Sequence, residues 1–106
     1  MNINIKGTKI SLTPTVKEYV EEKLSGLEKF IRPEETIRVE LEVDKKHSSG
    51  LIFRAEVDMQ PHGHYAEARG NDFYEAFDLL MPKIKEQLTR EKDKAVSLRR
   101  RRKRVR

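Results

Sequence analysis

The feature that most constrains this chain is a pair of alternating stretches in its middle. Ile37, Val39, Leu41 and Val43 are interleaved with Arg38, Glu40, Glu42 and Asp44. Leu51, Phe53, Ala55, Val57 and Met59 are interleaved with Arg54, Glu56 and Asp58. Side chains of a strand alternate between its two faces, so each stretch predicts a strand with one apolar face and one wet face. The polar positions need water, so the sheet accepts a covering layer on one side only.

Helical periods flank these strands. Asn2–Lys6 alternates, with Ile3 and Ile5 on one side, and predicts a short first strand ended by Gly7. Thr13-Pro14 is a helix start: the hydroxyl can cap free backbone N–H groups, and proline suits the first turn. Val16, Tyr19, Val20, Leu24, Leu27, Phe30 and Ile31 then recur at three- and four-residue steps. They predict a helix of about four turns, stopped by Arg32-Pro33. Lys45–Gly50 reads as a turn between the two long strands. Pro61-His62-Gly63-His64 reads as a tight turn and Tyr65–Arg69 as a fourth strand. Asp72 and Glu75 stand at capping-box spacing ahead of Phe73, Ala76, Phe77, Leu80, Met81, Ile84 and Leu88, the apolar face of a second helix. The expected fold is α+β: strand, helix, three strands, helix, with both helices on one face of a four-stranded sheet.

With 106 residues and 36% hydrophobic content the chain supports one small domain; its 39% charged residues keep much of it solvated. Cysteine is absent, which excludes disulfides, thiol catalysis and cysteine-ligated zinc. No apolar run approaches the ~18 residues of a membrane span, and the N-terminus lacks the pattern of a signal peptide. A cytoplasmic protein is expected. The net charge of +5 is unevenly spread: residues 99–106 hold 7 of the 23 basic side chains and no acid, leaving 16 basic and 18 acidic residues elsewhere. A domain of charge −2 therefore carries a tail of +7. That asymmetry points to a polyanion. Because the apolar pattern stops at Leu88, the reading assigns residues 1–94 to a domain. The helix is expected to fray in the nineties, with residues 95–106 a basic tail, disordered when free.

Enzymatic signatures are missing: no nucleophile elbow, P-loop or helical zinc motif accompanies the Ser and His residues. The strand carboxylates sit beside arginines, as on any solvated sheet face. His62 and His64 offer two imidazoles without a third nearby ligand, so the turn reading prevails over the metal reading. No enzyme activity, cofactor or small-molecule substrate is expected.

On the last helix, Lys83, Arg90 and Lys94 share one flank of the apolar face, with Lys85 and Lys92 on the other. Long cationic side chains flank any amphipathic helix, stems on apolar surface and heads in water. Lys23 is less ordinary, because helical geometry sets it inside the apolar stripe of the first helix. Burying an unpaired ammonium is too unfavourable. With two helices side by side, Lys23 can instead point into the groove between them. Lys83, Arg90 and Lys94 would line it from the other helix if their flank faces inward. A phosphate backbone held by point charges fits such a groove. Pro82 lies inside the second helix on its solvent side and should bend it. Arg99, Arg100, Arg101, Arg102, Lys103 and Arg104 form the core of the tail. No Gly, Tyr or Phe interleaves them, so base stacking is not indicated. If all seven tail cations met single-stranded phosphates, the log–log salt slope would be about −5 from the tail alone.

Several motifs resemble the ribosome hibernation-promoting factors, a family that includes the ribosome-associated inhibitor A proteins. They are Met1-Asn2-Ile3, Thr13-Pro14, Lys17–Leu24, Leu27-Glu28-Lys29, Ala66-Glu67-Ala68, Asp72–Ala76 and Lys83–Leu88. The resemblance covers about residues 1–94. It implies a fold akin to double-stranded RNA-binding domains with an extra first strand. It also implies occupation of the decoding region of the small ribosomal subunit, where messenger and transfer RNA would sit, in starvation or stationary phase. The family's RNA-facing positions carry over to Lys17, Lys23, Lys83 and Arg90; Lys94 and the tail cations extend that set. Glu86 departs from the family's usual arginine, and Lys85 replaces a common acid. At this length the chain resembles the short members, and no obligate oligomer is expected. The rival expectation is a general nucleic-acid-binding protein acting through its arginine tail. A hydrolase using surface carboxylates has no supporting constellation.

Overall fold

A computed structural model describes the backbone over residues 2–47 and 50–104 and the side chains over residues 2–43 and 52–90. The elements are β1 (Asn2–Thr8), α1 (Pro14–Ser25), a 3-10 turn (Glu28–Phe30), β2 (Thr36–His47), β3 (Gly50–Gln60), β4 (His64–Gly70) and α2 (Phe73–Arg104). They form one four-stranded sheet in the order β1-β2-β3-β4. β1 runs parallel to β2, and the other pairs are antiparallel. A parallel neighbour needs a crossover, which α1 supplies. The expected α+β order of elements is the one that forms.

The register explains where the core sits. Ile37 faces Ile3 and Met59; Val39 faces Ile5 and Val57; Val57 in turn faces Ala66; Ala55 lies between Leu41 and Ala68. All of these point to one face, where Val20, Leu24 and Leu27 of the first helical segment and Ala76, Phe77, Leu80, Ile84 and Leu88 of α2 close over them. Alanines on β4 let α2 approach that strand closely. The small residues and the large helix side chains interdigitate.

The opposite face is a charged lattice. Arg54, at its centre, donates to Glu67 from Nε at 3.0 Å, to Glu56 at 2.8 Å and to Glu42 at 3.5 Å. Tyr65 donates its hydroxyl to Glu67 at 3.1 Å, and Thr8 to Glu40 at 2.9 Å. The carboxylates read as an ordinary solvated face are thus partnered. Hydrogen bonds from Arg54 and Tyr65 hold the Glu67 carboxyl below its ordinary range. A depressed carboxyl stabilises the fold above its unfolded pKa, and that contribution is lost as pH falls through the folded value. Arg54→Met should therefore flatten the acid limb of thermal stability as pH falls through and below the ordinary carboxylate range. Melting curves at stepped pH check this, and an unchanged acid limb contradicts it.

Three boundaries differ from expectation. α1 ends at Ser25 instead of reaching Arg32, because Gly26 takes the C-cap and the chain tightens into the 3-10 turn. Glycine disfavours helix continuation, and the three-residue steps among Leu24, Leu27 and Phe30 suit a 3-10 repeat as well as an α-helix. The turn expected over Lys45–Gly50 is shorter: β2 runs to His47, which pairs with Gly50 after a register shift beyond Asp44. Backbone pairing continues there without needing an apolar alternation. α2, expected to fray in the nineties ahead of a basic tail, has a helical backbone to Arg104. Residues 89–104 contain no Gly or Pro and are rich in Arg and Lys, both favourable to helix.

Candidate nucleic-acid interface

The two helices are positioned by local chemistry at their starts. Thr13 accepts a hydrogen bond from the Val16 N–H at 3.2 Å, and Pro14 opens α1. At α2 the Asp72 carboxylate accepts the Glu75 N–H at 2.8 Å, the first half of the capping box, while the Glu75 carboxylate accepts the N–H of Asn71, one residue before the cap, at 3.3 Å. Gly70 permits the turn from β4 into α2, since a Cβ there would lie 2.8 Å from the Ala76 nitrogen.

Tyr19 locks the helices together. Its hydroxyl donates to the Asp78 carboxylate. Its ring meets Tyr74 edge-on, with centroids 4.8 Å apart, and Phe77 at 6.4 Å. The hydrogen bond to Asp78, followed by burial, pushes the phenol up to about 12, so it remains a donor at physiological pH. Above this contact opens a shallow groove lined by Lys23, Leu27, Asp78, Met81, Pro82 and Lys85. Its lining combines apolar Leu27, Met81 and Pro82 with two lysines and the Asp78 carboxylate that holds Tyr19.

Lys23 lies on the groove rim, exposed, with Nζ 5.4 Å from the Tyr19 ring centroid. The aromatic face accounts for an ammonium next to an apolar stripe. Among the described residues neither Lys23 nor Lys85 pairs with a carboxylate within 4.0 Å. Lys85, not Lys83, supplies the second rim. α2 lies over β3 and β4, so the Lys83 flank overhangs the sheet edge while the Lys85 flank looks towards α1. Lys83 Nζ donates to the Glu67 carbonyl at 3.0 Å. Gln87 donates to the Tyr65 carbonyl at 2.6 Å and accepts the Tyr65 N–H at 3.0 Å. These side chains satisfy backbone groups that an edge strand otherwise leaves open to stray pairing.

Of the other expected positions with described side chains, Lys17 and Arg90 do not line the groove. Lys17 is exposed on α1. Arg90, also exposed, is bonded to the Glu86 carboxylate one turn earlier. Lys94, Arg99, Arg100, Arg101, Arg102, Lys103 and Arg104 lie on the helical backbone of α2, with side chains outside the described residues. Pro82 is exposed, lines the groove and cannot donate to the Asp78 carbonyl one turn before it.

His62 and His64 flank the β3–β4 turn, where Gly63 takes φ +79°. His62 is bound to a residue that sequence reading passed over. Glu35 is buried at 3% exposure and accepts both the His62 N–H, at 3.3 Å, and its Nδ1–H. Arg32 approaches Nε2 at 2.8 Å. Among the described residues no cluster of His, Asp or Glu has the arrangement to hold a metal ion. No described helix is long and apolar enough to cross a membrane.

A profile of the Sigma 54 modulation protein / S30EA ribosomal protein family matches residues 3–96. The chain belongs to this family. A ribosome hibernation promoting factor of Klebsiella oxytoca is 34% identical over 96 residues, covering 89% of this chain and 96% of that protein. A ribosomal subunit interface protein from Coxiella burnetii has a similar structure, with TM-score 0.67 and 29% identity over 88% of this chain and 99% of that one. The N-terminal domain of Protein Y from Thermus thermophilus superposes with TM-score 0.65 and 26% identity, covering 85% of this chain and 98% of that domain. Family membership thus accounts for the order of elements and for the fold.

Proposed function

We propose that this protein is a ribosome hibernation factor, non-enzymatic, that binds the small subunit at its decoding region and holds off messenger and transfer RNA. Two lines support the reading: membership of a family whose relatives bear that name, and a cationic groove between two interlocked helices. The groove carries the most weight. Lys23 and Lys85 belong to different elements, yet line the same groove, which suits a phosphate backbone recognised by position and not by base.

Inhibition is steric occupancy with no turnover and no cofactor. The partner is ribosomal RNA of the small subunit, in the cytoplasm, under starvation or in stationary phase. The neutralised lattice on the sheet's outer face offers RNA no excess of cations, so binding uses the helix side.

Competition on purified small subunits tests the site. Labelled messenger RNA carrying an initiation region should be displaced as the protein is titrated in, with an inhibition constant equal to the protein's own Kd. Simultaneous binding of both at saturation refutes decoding-region occupancy. The reading of a general nucleic-acid binder rests on the seven cations of residues 99–106. It requires that removing them abolish ribosome association.

A further inference from the structure

Among the described side chains of α2 the last buried one is Leu88, and the family profile ends at residue 96, yet the backbone remains helical to Arg104. The long axis of the molecule reaches 62 Å against 27 and 19 Å for the other two. Residues 91–104 alone account for about 21 Å of helix. Arg99, Arg100, Arg101, Arg102, Lys103 and Arg104 are consecutive positions on that helix. At about 100° per residue, six successive positions occupy every face of the cylinder.

This all-round distribution discriminates among polyanions. A lipid surface is met by a helix with one apolar face, and no apolar residue stands between Leu98 and Val105. A single flat row of phosphates engages about half of the positions. A cleft with phosphates on both walls engages all of them, and the planar guanidinium suits bidentate phosphate contacts. Like charges one turn apart also repel, so phosphate neutralisation stabilises the helix that presents them. The rod further fixes the spacing between Lys85 and Arg99 at about 21 Å, which joins two weak contacts into one geometry.

Resting on the hibernation reading, we propose that residues 97–104 form a rigid helical arm that seats in a phosphate-walled cleft of structured ribosomal RNA. It is a second contact, separate from the groove of Lys23 and Lys85.

Ser97 provides the test, because changing it alters no charge. Full-length Ser97→Pro keeps every tail cation and interrupts the helix, whereas Ser97→Ala keeps both. Affinity for purified small subunits is measured at about 0.1 M salt for these two, the unaltered chain and a chain ending at residue 96. Among the described residues every core side chain precedes residue 89, so the truncation removes none of them. Ser97→Pro should weaken binding about tenfold, towards the truncated chain, with Ser97→Ala unchanged. Equal affinities for Ser97→Pro and Ser97→Ala mean a flexible polycation and overturn the proposal, as does a truncation without effect. Tighter binding to phosphatidylglycerol vesicles or to poly(U) than to subunits also overturns it. The truncated chain separately reports the groove: if it ignores subunits, the groove reading fails, and the Ser97 pair still decides the arm.

Discussion

Reversing both groove lysines, Lys23→Glu together with Lys85→Glu, should weaken ribosome binding about 30-fold and reduce the log–log salt slope by about 2. Both side chains are exposed and free of carboxylate partners among the described residues, so the fold loses no ion pair. Each reversal removes one phosphate contact and places a repulsive charge in its stead. About 1 kcal/mol per position gives the stated factor. Equilibrium binding to small subunits over a salt series measures both quantities, and unaltered melting curves confirm that the body is intact. Lys83→Glu provides the contrast: its ammonium serves the β4 edge, so its effect should fall on stability more than on the salt slope. A larger loss of affinity from Lys83→Glu than from the groove pair would move the interface to the other flank of α2.

Phe77→Ala is expected to destabilise the domain by about 3–5 kcal/mol. Phe77 is 1% exposed, is the largest fully buried side chain among the described residues and meets Tyr19 across the helix pair. Removing the ring opens a cavity between α2 and the sheet and takes away one wall of the contact that orients the groove. Against a typical total of about 5–15 kcal/mol, that loss is severe. It should lower the melting temperature by about 15 °C or more for a domain of this size. Leu79 makes a matched control: on the same helix but 51% exposed, its change to alanine should shift stability by no more than about 0.5 kcal/mol. Chemical denaturation of both variants is the check, and similar midpoints would mean that the core is not centred on Phe77.

Most of the fold was legible because its signals are local. Alternation from Ile37 to Val43 and from Phe53 to Met59 set the strands and their buried face, and both helix starts were written in single side chains, Thr13 and Asp72. The end of α1 was not legible, since apolar residues three apart satisfy an α-helix and a 3-10 turn alike. The site was half legible. Lys23 stood out because an ammonium within an apolar stripe demands an explanation. The flank of α2 facing α1 depends on α2 resting over β4, a tertiary fact that no spacing encodes. Gln87 was missed for the same reason, because its partners are backbone groups of an edge strand 22 residues earlier. Glu35 was missed because an acid beside Glu34 in a loop looks solvated; its hydrogen-bond partner, His62, stands 27 residues away.

The most direct measurement is sedimentation of a cell lysate through a sucrose gradient containing the chain cut after residue 98. If the sheet-and-helix body selects the ribosome through its groove, the cut chain travels with ribosomal particles and leaves them when Lys23 and Lys85 are reversed. If it stays at the top of the gradient while the intact chain spreads over RNA and DNA alike, the tail alone is the binding element and the groove is not.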